Sequence, residues 1–263
     1  MKGRVLIIAG SDPSGGAGIQ ADIKTVTMLG GYAATAITAL TVQNTRGVSE
    51  VHPVAPKVIA AQIEAVMSDI GADAIKIGMI GDIETAKTIE AALKRNSSIP
   101  VILDPVLIAT SGDALASDGV AAFIRDRLAP LAALVTPNID EASALTGVAI
   151  ANRDGMIETG KKLIALGARA ALVKGGHLSG ETVEDALVTS EGARIFSNPR
   201  IDTNSTHGTG CTLASAVATG LAQGMALQAA VKRAIDYVHT AIATAPGYGA
   251  GHGPLNHGHP LGD

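Results

Sequence analysis

Short apolar runs rich in β-branched residues alternate along the chain with longer segments that have the spacing of amphipathic helices. The short runs predict strands at Val5–Ala9, Ala33–Leu40, Ala74–Ile77, Val101–Asp104, Leu134–Thr136 and Ala171–Lys174, and a hairpin-like pair at Ala186–Thr189 and Arg194–Phe196. The longer segments predict helices at Gly18–Leu29, Pro56–Ile70, Ile83–Arg95, Gly119–Leu128, Ile139–Leu145, Arg153–Leu166, Gly210–Ala222 and Leu227–Ala243. Near-continuous apolar strands separated by helices indicate a mainly parallel sheet covered on both faces, an α/β fold.

Ligands of such sheets bind at the carboxyl ends of the strands, so the polar and glycine-rich segments that follow the strands are the candidate functional segments. They are Gly10–Gly18, Thr41–Gly47, Gly78–Gly81, Asp104–Gly112, Pro137–Glu141 and Gly175–His177, and to them we add Thr203–Cys211, which precedes the penultimate helix. No Pro/Ser-rich linker and no internal repeat divides the chain. We therefore expect residues 1–263 to form a single domain.

Composition narrows the class of protein. The 263 residues are 47% hydrophobic and only 2% aromatic, with a formal net charge of −4, which argues against disorder and against a nucleic-acid partner. No apolar run approaches the roughly 20 residues of a membrane span. The one cysteine, Cys211, cannot form an internal disulfide. A soluble, cytoplasmic protein is the simplest expectation.

The first glycine-rich segment follows a strand and opens a helix. Residues 16–21, GAGIQA, match the G-x-G-x-x-A form of a dinucleotide fingerprint. That fingerprint also requires an acidic residue after the next strand, where this chain has the uncharged Thr41–Thr45. A small-ligand pocket with polar contacts from Asp22 and Gln43 fits better. The alternatives are a tight packing turn and, for Asp22, a solvated helix face.

The segment Thr206–Thr212, THGTGCT, places two glycines before a helix rich in small residues. Backbone N–H groups around Gly208 and Gly210 can converge on one point, where the helix dipole adds positive potential. Such a turn suits a phosphoryl group, although no Walker A motif is present. Cys211 lies in the first helical turn, where we expect a lowered thiol pKa. The alternative is a small buried hydrophobic residue.

Two acidic residues and a lysine follow other strands. Asp104 and Glu141 could serve a nucleotide-borne Mg²⁺, which takes only one or two carboxylates. The alternative, which spacing alone favours, is that Asn138, Asp140 and Glu141 cap and charge the start of a helix. Lys174 precedes two glycines and suits phosphate contact, although a lysine at a strand end can also extend into solvent. The C-terminal histidines His252, His257 and His259 favour a flexible or pocket-closing tail over a zinc site.

Taken together, these segments resemble the ribokinase superfamily, and within it the hydroxymethylpyrimidine/phosphomethylpyrimidine kinases of thiamine biosynthesis. The resemblance covers nearly the whole chain in the family order. It rests on AGSDPSGGAGIQADIKT (9–25), TALTVQNTRGV (38–48), IKIGMI (75–80), LDPVLIATSGD (103–113), TPNIDEA (136–142), LVKGGH (172–177) and HGTGCT (207–212). It implies a ribokinase-like, three-layer α/β/α sandwich with a mainly parallel central sheet and a few extra lid strands.

The resemblance also implies roles for individual residues. It assigns the pyrimidine pocket to Gly10, Asp22, Gln43, Met79 and Val106. It assigns ATP contacts to Asp104, Asn138, Lys174, Thr189 and Thr209, and the organisation of Mg²⁺ to Asp104 and Glu141. It assigns catalysis to Cys211, Lys174, Gly208 and Gly210, with the Cys211 thiolate accepting the proton of the attacking hydroxyl.

The activity implied is ATP- and Mg²⁺-dependent phosphorylation of 4-amino-5-hydroxymethyl-2-methylpyrimidine and then of its monophosphate, by in-line transfer in a homodimeric enzyme. The sequence leaves open whether both steps occur. A pyridoxine/pyridoxal kinase of the same superfamily is the alternative activity. A non-catalytic ligand sensor on this scaffold is the alternative outside enzymes.

Overall fold

One mixed sheet runs through the part of the chain that the structure describes. The structure is a computed structural model that describes residues 1–109, 112–113 and 115–262, so Thr110 and Ser111 of the LDPVLIATSGD motif lie outside the described residues. The strands are β1 (Arg4–Ser11), β2 (Tyr32–Asn44), β3 (Gly47–Pro53), β4 (Ala74–Ile77), β5 (Val101–Leu103), β6 (Leu134–Val135), β7 (Ala170–Lys174), β8 (Thr182–Thr189) and β9 (Gly192–Pro199). Their order is β3-β2-β1-β4-β5-β6-β7-β8-β9. The pairings from β2 to β7 are parallel, and β3, β8 and β9 join antiparallel at the two edges.

Helices cover both faces of the sheet. They are α1 (Gly18–Met28), α2 (Pro56–Asp69), α3 (Ile83–Arg95), α4 (Val120–Phe123), α5 (Ile139–Thr146), α6 (Arg153–Ala165), α7 (Thr209–Ala222) and α8 (Leu227–Ala243). Along β1, Leu6 and Ile8 pack into the core under α2 and α3, whereas Val5 and Ile7 pack into the core under α1, α7 and α8. This alternation follows from the two-residue period of a strand and confirms the three-layer α/β/α sandwich. Within the described ranges, no helix has both the length and the hydropathy needed to cross a bilayer.

The strand order reverses beside β1. The chain leaves β1 for β2 on one side and later returns to form β4 on the other side. In doubly wound sheets, the crevice at the carboxyl ends of the strands flanking such a reversal is the usual ligand site. The loops after β1 and β4 carry Gly10–Gly18 and Gly78–Gly81, two of the predicted functional segments.

Two elements differ from the sequence prediction. Strand β3 was not predicted, because it pairs with β2 only at the sheet edge and most of its side chains are exposed, so it has no buried apolar face. The helix predicted at Gly119–Leu128 is α-helical only over Val120–Phe123 and continues as a π-helical turn over Ile124–Leu128.

Candidate active site

A cavity of about 610 Å³ opens at the carboxyl ends of the parallel strands. It confirms the sequence prediction that the functional segments meet at this edge. The predicted residues that line it are Gly10, Gln43, Met79, Asp104, Val106, Asn138, Glu141, Lys174, Gly208, Thr209, Gly210 and Cys211. Another cavity, of about 620 Å³, lies between Ser14, Lys24 and the C-terminal tail and is lined by none of these residues.

The glycine turn before α7 is built by close backbone contacts. Gly208 is the N-cap of α7 with φ +83°, and a Cβ at this position would clash with the carbonyl oxygen of Gly16. A Cβ on Gly210 would lie 3.0 Å from Lys174 Nζ and 3.5 Å from Asp104 Oδ2. No side chain caps the helix. The turn therefore offers a helix N-terminus to the cavity beside a lysine and a carboxylate, an arrangement suited to a phosphoryl group.

Lys174 and Asp104 form an ion pair at the floor of the cavity. Lys174 Nζ lies 2.9 Å from Asp104 Oδ1, and the Thr136 hydroxyl donates to the same oxygen at 3.1 Å. Burial alone would lower the pKa of Lys174, but the carboxylates of Asp104 and Glu141 raise it above its ordinary value. The ammonium is therefore charged at neutral pH and lies where phosphate oxygens could replace the carboxylate.

Asn138 and Glu141 form a capping box at the start of α5, the alternative role considered for them from the sequence. The Glu141 N–H donates to Asn138 Oδ1 at 2.9 Å, and the Asn138 N–H donates to Glu141 Oε2 at 2.8 Å. Both residues nevertheless line the cavity. Burial raises the pKa of Glu141 to about 7; Lys174 opposes the shift and Asp104 reinforces it.

The expected lowering of the Cys211 pKa is wrong. Cys211 lines the cavity in the first turn of α7. Burial raises the pKa of its thiol to about 12, because the desolvation of a thiolate outweighs the charge of Lys76 and the Gly18 N–H that favour it. Nearby Asp22 and Asp104 raise the pKa further. Cys211 is therefore a thiol, not a thiolate, at neutral pH in this structure.

Asp22 does not line the cavity, contrary to the prediction. Its side chain is fully buried and its two oxygens lie 2.9 and 2.8 Å from Lys76 Nζ, while the Ser215 hydroxyl donates to Oδ1 at 2.7 Å. The sequence signal that was overlooked is a single lysine within the otherwise apolar strand β4. A lysine at such a position needs a buried carboxylate, and α1 supplies it.

Thr189 does not line the cavity, so the structure does not bring it together with the other residues predicted to contact the nucleotide. It pairs with Ala170 at the start of β7, whereas Lys174 at the other end of β7 pairs with Asp185. Asp185 lines the cavity instead and was missed. Burial raises its pKa to about 6, and the Gly175 N–H donates to its Oδ1 at 3.0 Å.

An Asp12–His207 pair connects the first glycine-rich loop to the turn before α7. His207 Nε2 and Asp12 Oδ2 lie 2.9 Å apart, and both side chains are buried. The N–H groups of Ser14 and Ala17 also donate to the Asp12 carboxylate, each at 2.8 Å. Gln43 Nε2 lies 3.5 Å from His207 Nε2. The sequence analysis singled out both loops but not this pair.

The C-terminal tail packs against these elements without lining the main cavity. The His252 N–H donates to the Thr45 carbonyl at the turn between β2 and β3, at 2.7 Å. Buried His257 contacts the Thr212 hydroxyl in α7 through its Nε2, at 2.9 Å. Among the residues the structure describes, no three His, Cys, Asp or Glu side chains cluster as a metal site.

The sequence matches a family model described as phosphomethylpyrimidine kinase over residues 12–256. The chain belongs to the phosphomethylpyrimidine kinase family. Membership of this family makes it a kinase of thiamine biosynthesis. The glycine turn, Lys174 and Asp104 are thus placed in a protein whose relatives transfer phosphoryl groups.

Two relatives agree with this family assignment, and a solved structure of a pyridoxal kinase has the same fold. The chain is 44% identical to the hydroxymethylpyrimidine/phosphomethylpyrimidine kinase of Escherichia coli K12, over 97% of each chain. It is 50% identical to the thiamine biosynthesis bifunctional protein ThiED of Geobacter sulfurreducens over 97% of its own residues, and it spans about half (52%) of that relative's length. It is also similar to the crystal structure of an ADP complex of Bacillus subtilis pyridoxal kinase, with 36% identity, 98% coverage of each chain and a TM-score of 0.90.

Proposed function

We propose that this member of the family, acting as a single domain, transfers the γ-phosphoryl group of ATP to the hydroxymethyl group of 4-amino-5-hydroxymethyl-2-methylpyrimidine, and then phosphorylates the resulting monophosphate. One observation carries the proposal. The glycine turn Gly208–Gly210, the Lys174–Asp104 pair and the acceptor-side residues Gly10 and Gln43 line one cavity. An acceptor and a triphosphate can therefore meet inside it.

The acceptor side of the cavity is mostly apolar. A Cβ on Gly10 would lie 3.0 Å from Met79 Sδ, so a glycine at this position lets the thioether pack closely against the backbone at the end of β1. Met79 and Val106 supply apolar walls, and Gln43 supplies an amide. This combination suits an aromatic heterocycle with one polar edge.

The phosphate side is formed by the turn before α7 and by Lys174. In-line transfer proceeds through a loose transition state, so the enzyme contributes mainly positioning and electrostatic stabilisation. The N–H groups after Gly208 and the Lys174 ammonium would hold the transferred group. Thr209 and Asn138 line the same part of the cavity and would contact the nucleotide.

The carboxylates of Asp104 and Glu141 fit a Mg²⁺ ion that arrives with the nucleotide. Such an ion keeps several waters and takes one or two protein carboxylates, which matches two acidic side chains on the cavity wall rather than a dedicated cage. When bound, Mg²⁺ neutralises phosphate charge. Asp104 and Glu141 would themselves hold the ion, so that the phosphates bound to it face the glycine turn.

Cys211 is proposed to contact the acceptor hydroxyl as a thiol. Because its pKa is raised to about 12, the thiolate base expected from the sequence is not formed in advance. In a loose transition state the bond between the γ-phosphorus and ADP breaks early and the hydroxyl proton leaves late, so the proton can pass to an oxygen of the transferred phosphoryl group and a strong base is not required. The thiol would orient the acceptor hydroxyl toward the γ-phosphorus, which lies beside the turn Gly208–Cys211 in the proposed complex.

Pyridoxal is the second candidate acceptor. The similarity to the B. subtilis pyridoxal kinase structure extends over 98% of both chains, and Gln43 is the polar side chain that would face either ring.

A homodimer is also proposed on the family resemblance. Light scattering of the purified chain would test it.

A coupled ADP-release assay with Mg-ATP tests the proposed acceptor. Hydroxymethylpyrimidine, its monophosphate and pyridoxal are compared at equal concentration. We expect turnover with both pyrimidines. Turnover with pyridoxal alone would reassign the acceptor. The absence of ATP-dependent turnover with all three acceptors would contradict the proposed activity.

A further inference from the structure

A charged pair is enclosed in the core between the sheet and its helices. Lys76 and Asp22 are both 0% exposed, and the Lys76 ammonium contacts both oxygens of the Asp22 carboxylate. Removing two charges from water costs free energy that their attraction repays only with good geometry and further hydrogen bonds. Ser215 supplies one such bond. The proposed phosphoryl transfer assigns no task to this pair.

The pair joins three elements that end at the cavity. Asp22 lies on α1, which begins at Gly18; Lys76 lies on β4, which leads to Met79; and Ser215 lies on α7, which begins after Gly208. Ser215 follows Cys211 by four residues, so the two side chains share one face of α7. A Cβ on Gly78 would lie 2.9 Å from Lys76 Nζ, which places the ammonium directly behind the loop after β4.

Opposite charges act on the Cys211 thiol from the packed elements around it. Lys76 on β4 and Lys174 on β7 favour the thiolate, and the backbone N–H of Gly18 at the start of α1 does the same. Asp22 on α1 and Asp104 after β5 disfavour it. The influence is mutual: burial lowers the pKa of Lys76, but Asp22, Cys211 and Asp104 together raise it above its ordinary value.

We propose that Lys76 and Asp22 are positioning residues for Cys211: Asp22, which is hydrogen-bonded to Ser215 one turn after Cys211 on α7, holds the Lys76 ammonium in place, and the balance of the two charges sets how readily the sulfur reacts. Removal of the Lys76 charge should therefore make the Cys211 thiol less reactive, and removal of the Asp22 charge should make it more reactive. If the pair served only to hold the core together, both substitutions would change the reactivity in the same direction, since the loss of either partner would loosen the same packing.

Alkylation of Cys211 by iodoacetamide tests this directly, because the chain has a single cysteine and only the thiolate reacts. A change of one unit in thiol pKa alters the alkylation rate at fixed pH by roughly three-fold or more, once the lower nucleophilicity of a less basic thiolate is included. We expect Lys76→Met to slow alkylation by at least about three-fold. We expect Asp22→Asn to accelerate it by at least about three-fold.

Two further variants separate charge from packing. Ser215→Ala removes a hydrogen bond from Asp22 but leaves both charges, so it should lower the thermal unfolding midpoint while the alkylation rate stays within about two-fold of wild type. The double variant Lys76→Met/Asp22→Asn should give a rate between those of the two single variants. If Lys76→Met does not fold, Asp22→Asn and the double variant still decide the sign.

Rates that move in the same direction in both single variants, or an Asp22→Asn rate equal to wild type, would overturn the proposal. The assay contains no nucleotide and no pyrimidine, so it is independent of the acceptor. Failure of the proposed kinase reaction would appear instead as absent turnover in the wild-type protein.

Discussion

Lys174 Nζ lies 2.9 Å from Asp104 Oδ1, and a Cβ on Gly210 would come within 3.0 Å of that same nitrogen. The first turn of α7 therefore rests against a charged pair with no room between them. This contact joins the turn proposed to hold the transferred phosphoryl group to the cation proposed to neutralise it. It depends on residue 210 being a glycine.

Gly210→Ala should displace the Lys174 ammonium or the start of α7 by a few tenths of an ångström or more. Misplacement of a positioned group by about 1 Å can cost about 10²-fold in rate, so we expect a fall in kcat of one to two orders of magnitude. Steady-state kinetics would measure it. Gly81→Ala is the matched control, since its Cβ would meet only the Leu115 carbonyl oxygen at 3.9 Å; equal losses in both variants would contradict the explanation.

Asp12→Asn should lower stability in a way that depends on pH. Burial raises the pKa of Asp12, but the hydrogen bonds from His207, Ser14 and Ala17 outweigh it and hold the pKa below the ordinary 3.8. A carboxylate with a lowered folded-state pKa stabilises the fold above pH 3.8 and loses that contribution as pH falls through the folded value. We expect a loss of about 1–3 kcal/mol at neutral pH, measured by urea unfolding, and a shrinking difference from wild type below pH 4.

If the difference in free energy of unfolding between wild type and Asp12→Asn stayed constant down to acid pH, the ionisation of Asp12 would not be the source of that stability. His207→Gln places an amide donor beside Asp12 and is the matched variant. It should lose less stability than Asp12→Asn, because the backbone N–H groups of Ser14 and Ala17 still donate to the carboxylate.

The pH profile of the reaction should have an acidic limb near neutrality that reports the protonation of Glu141. Burial raises its pKa to about 7, so below that pH the protonated side chain no longer offers a full carboxylate to a nucleotide-borne cation. We expect kcat/KM for Mg-ATP to fall as pH drops from 8 to 6. In Glu141→Gln the value should be low throughout and that limb flattened; a limb that persists unchanged in the variant would assign it to another group, such as Asp185.

Cys211→Ser and Cys211→Ala should separate a positioning thiol from a base. A serine hydroxyl can still orient the acceptor hydroxyl, so we expect Cys211→Ser to keep more activity than Cys211→Ala, which should lose about 10²-fold in kcat, the cost of one transition-state hydrogen bond. Equal losses of about 10⁴-fold in both variants would favour a thiolate base instead.

Cavity-lining residues could be predicted from the sequence where backbone conformation or the end of a strand decides the position of the residue. Gly10, Asp104 and Lys174 follow or end predicted strands, Gly208 and Gly210 stand at the start of a predicted helix, and all five line the cavity. The parallel sheet brings such positions to one edge whatever the details of packing. The central strands were predicted for the same reason, since their apolar runs are nearly continuous.

The errors concern properties that depend on partners distant in sequence. Asp22 was expected at the pocket, but its environment is set by Lys76, 54 residues later, and by Ser215 on another helix. Thr189 was misplaced because hairpin register, which puts it opposite Ala170, cannot be read from an apolar run. The thiol pKa of Cys211 was misjudged because the helix terminus is visible in the sequence, whereas burial and the Asp22 and Asp104 carboxylates are not.

Both phosphorylations, of the pyrimidine and then of its monophosphate, are proposed to take place in one cavity. A time course of hydroxymethylpyrimidine with excess Mg-ATP, read by mass spectrometry in wild type and Lys174→Met, tests this proposal most directly. We predict that wild type forms the monophosphate first and the diphosphate after it, and that Lys174→Met slows both steps. No phosphorylated pyrimidine in wild type, or an unimpaired second step in Lys174→Met, would contradict it.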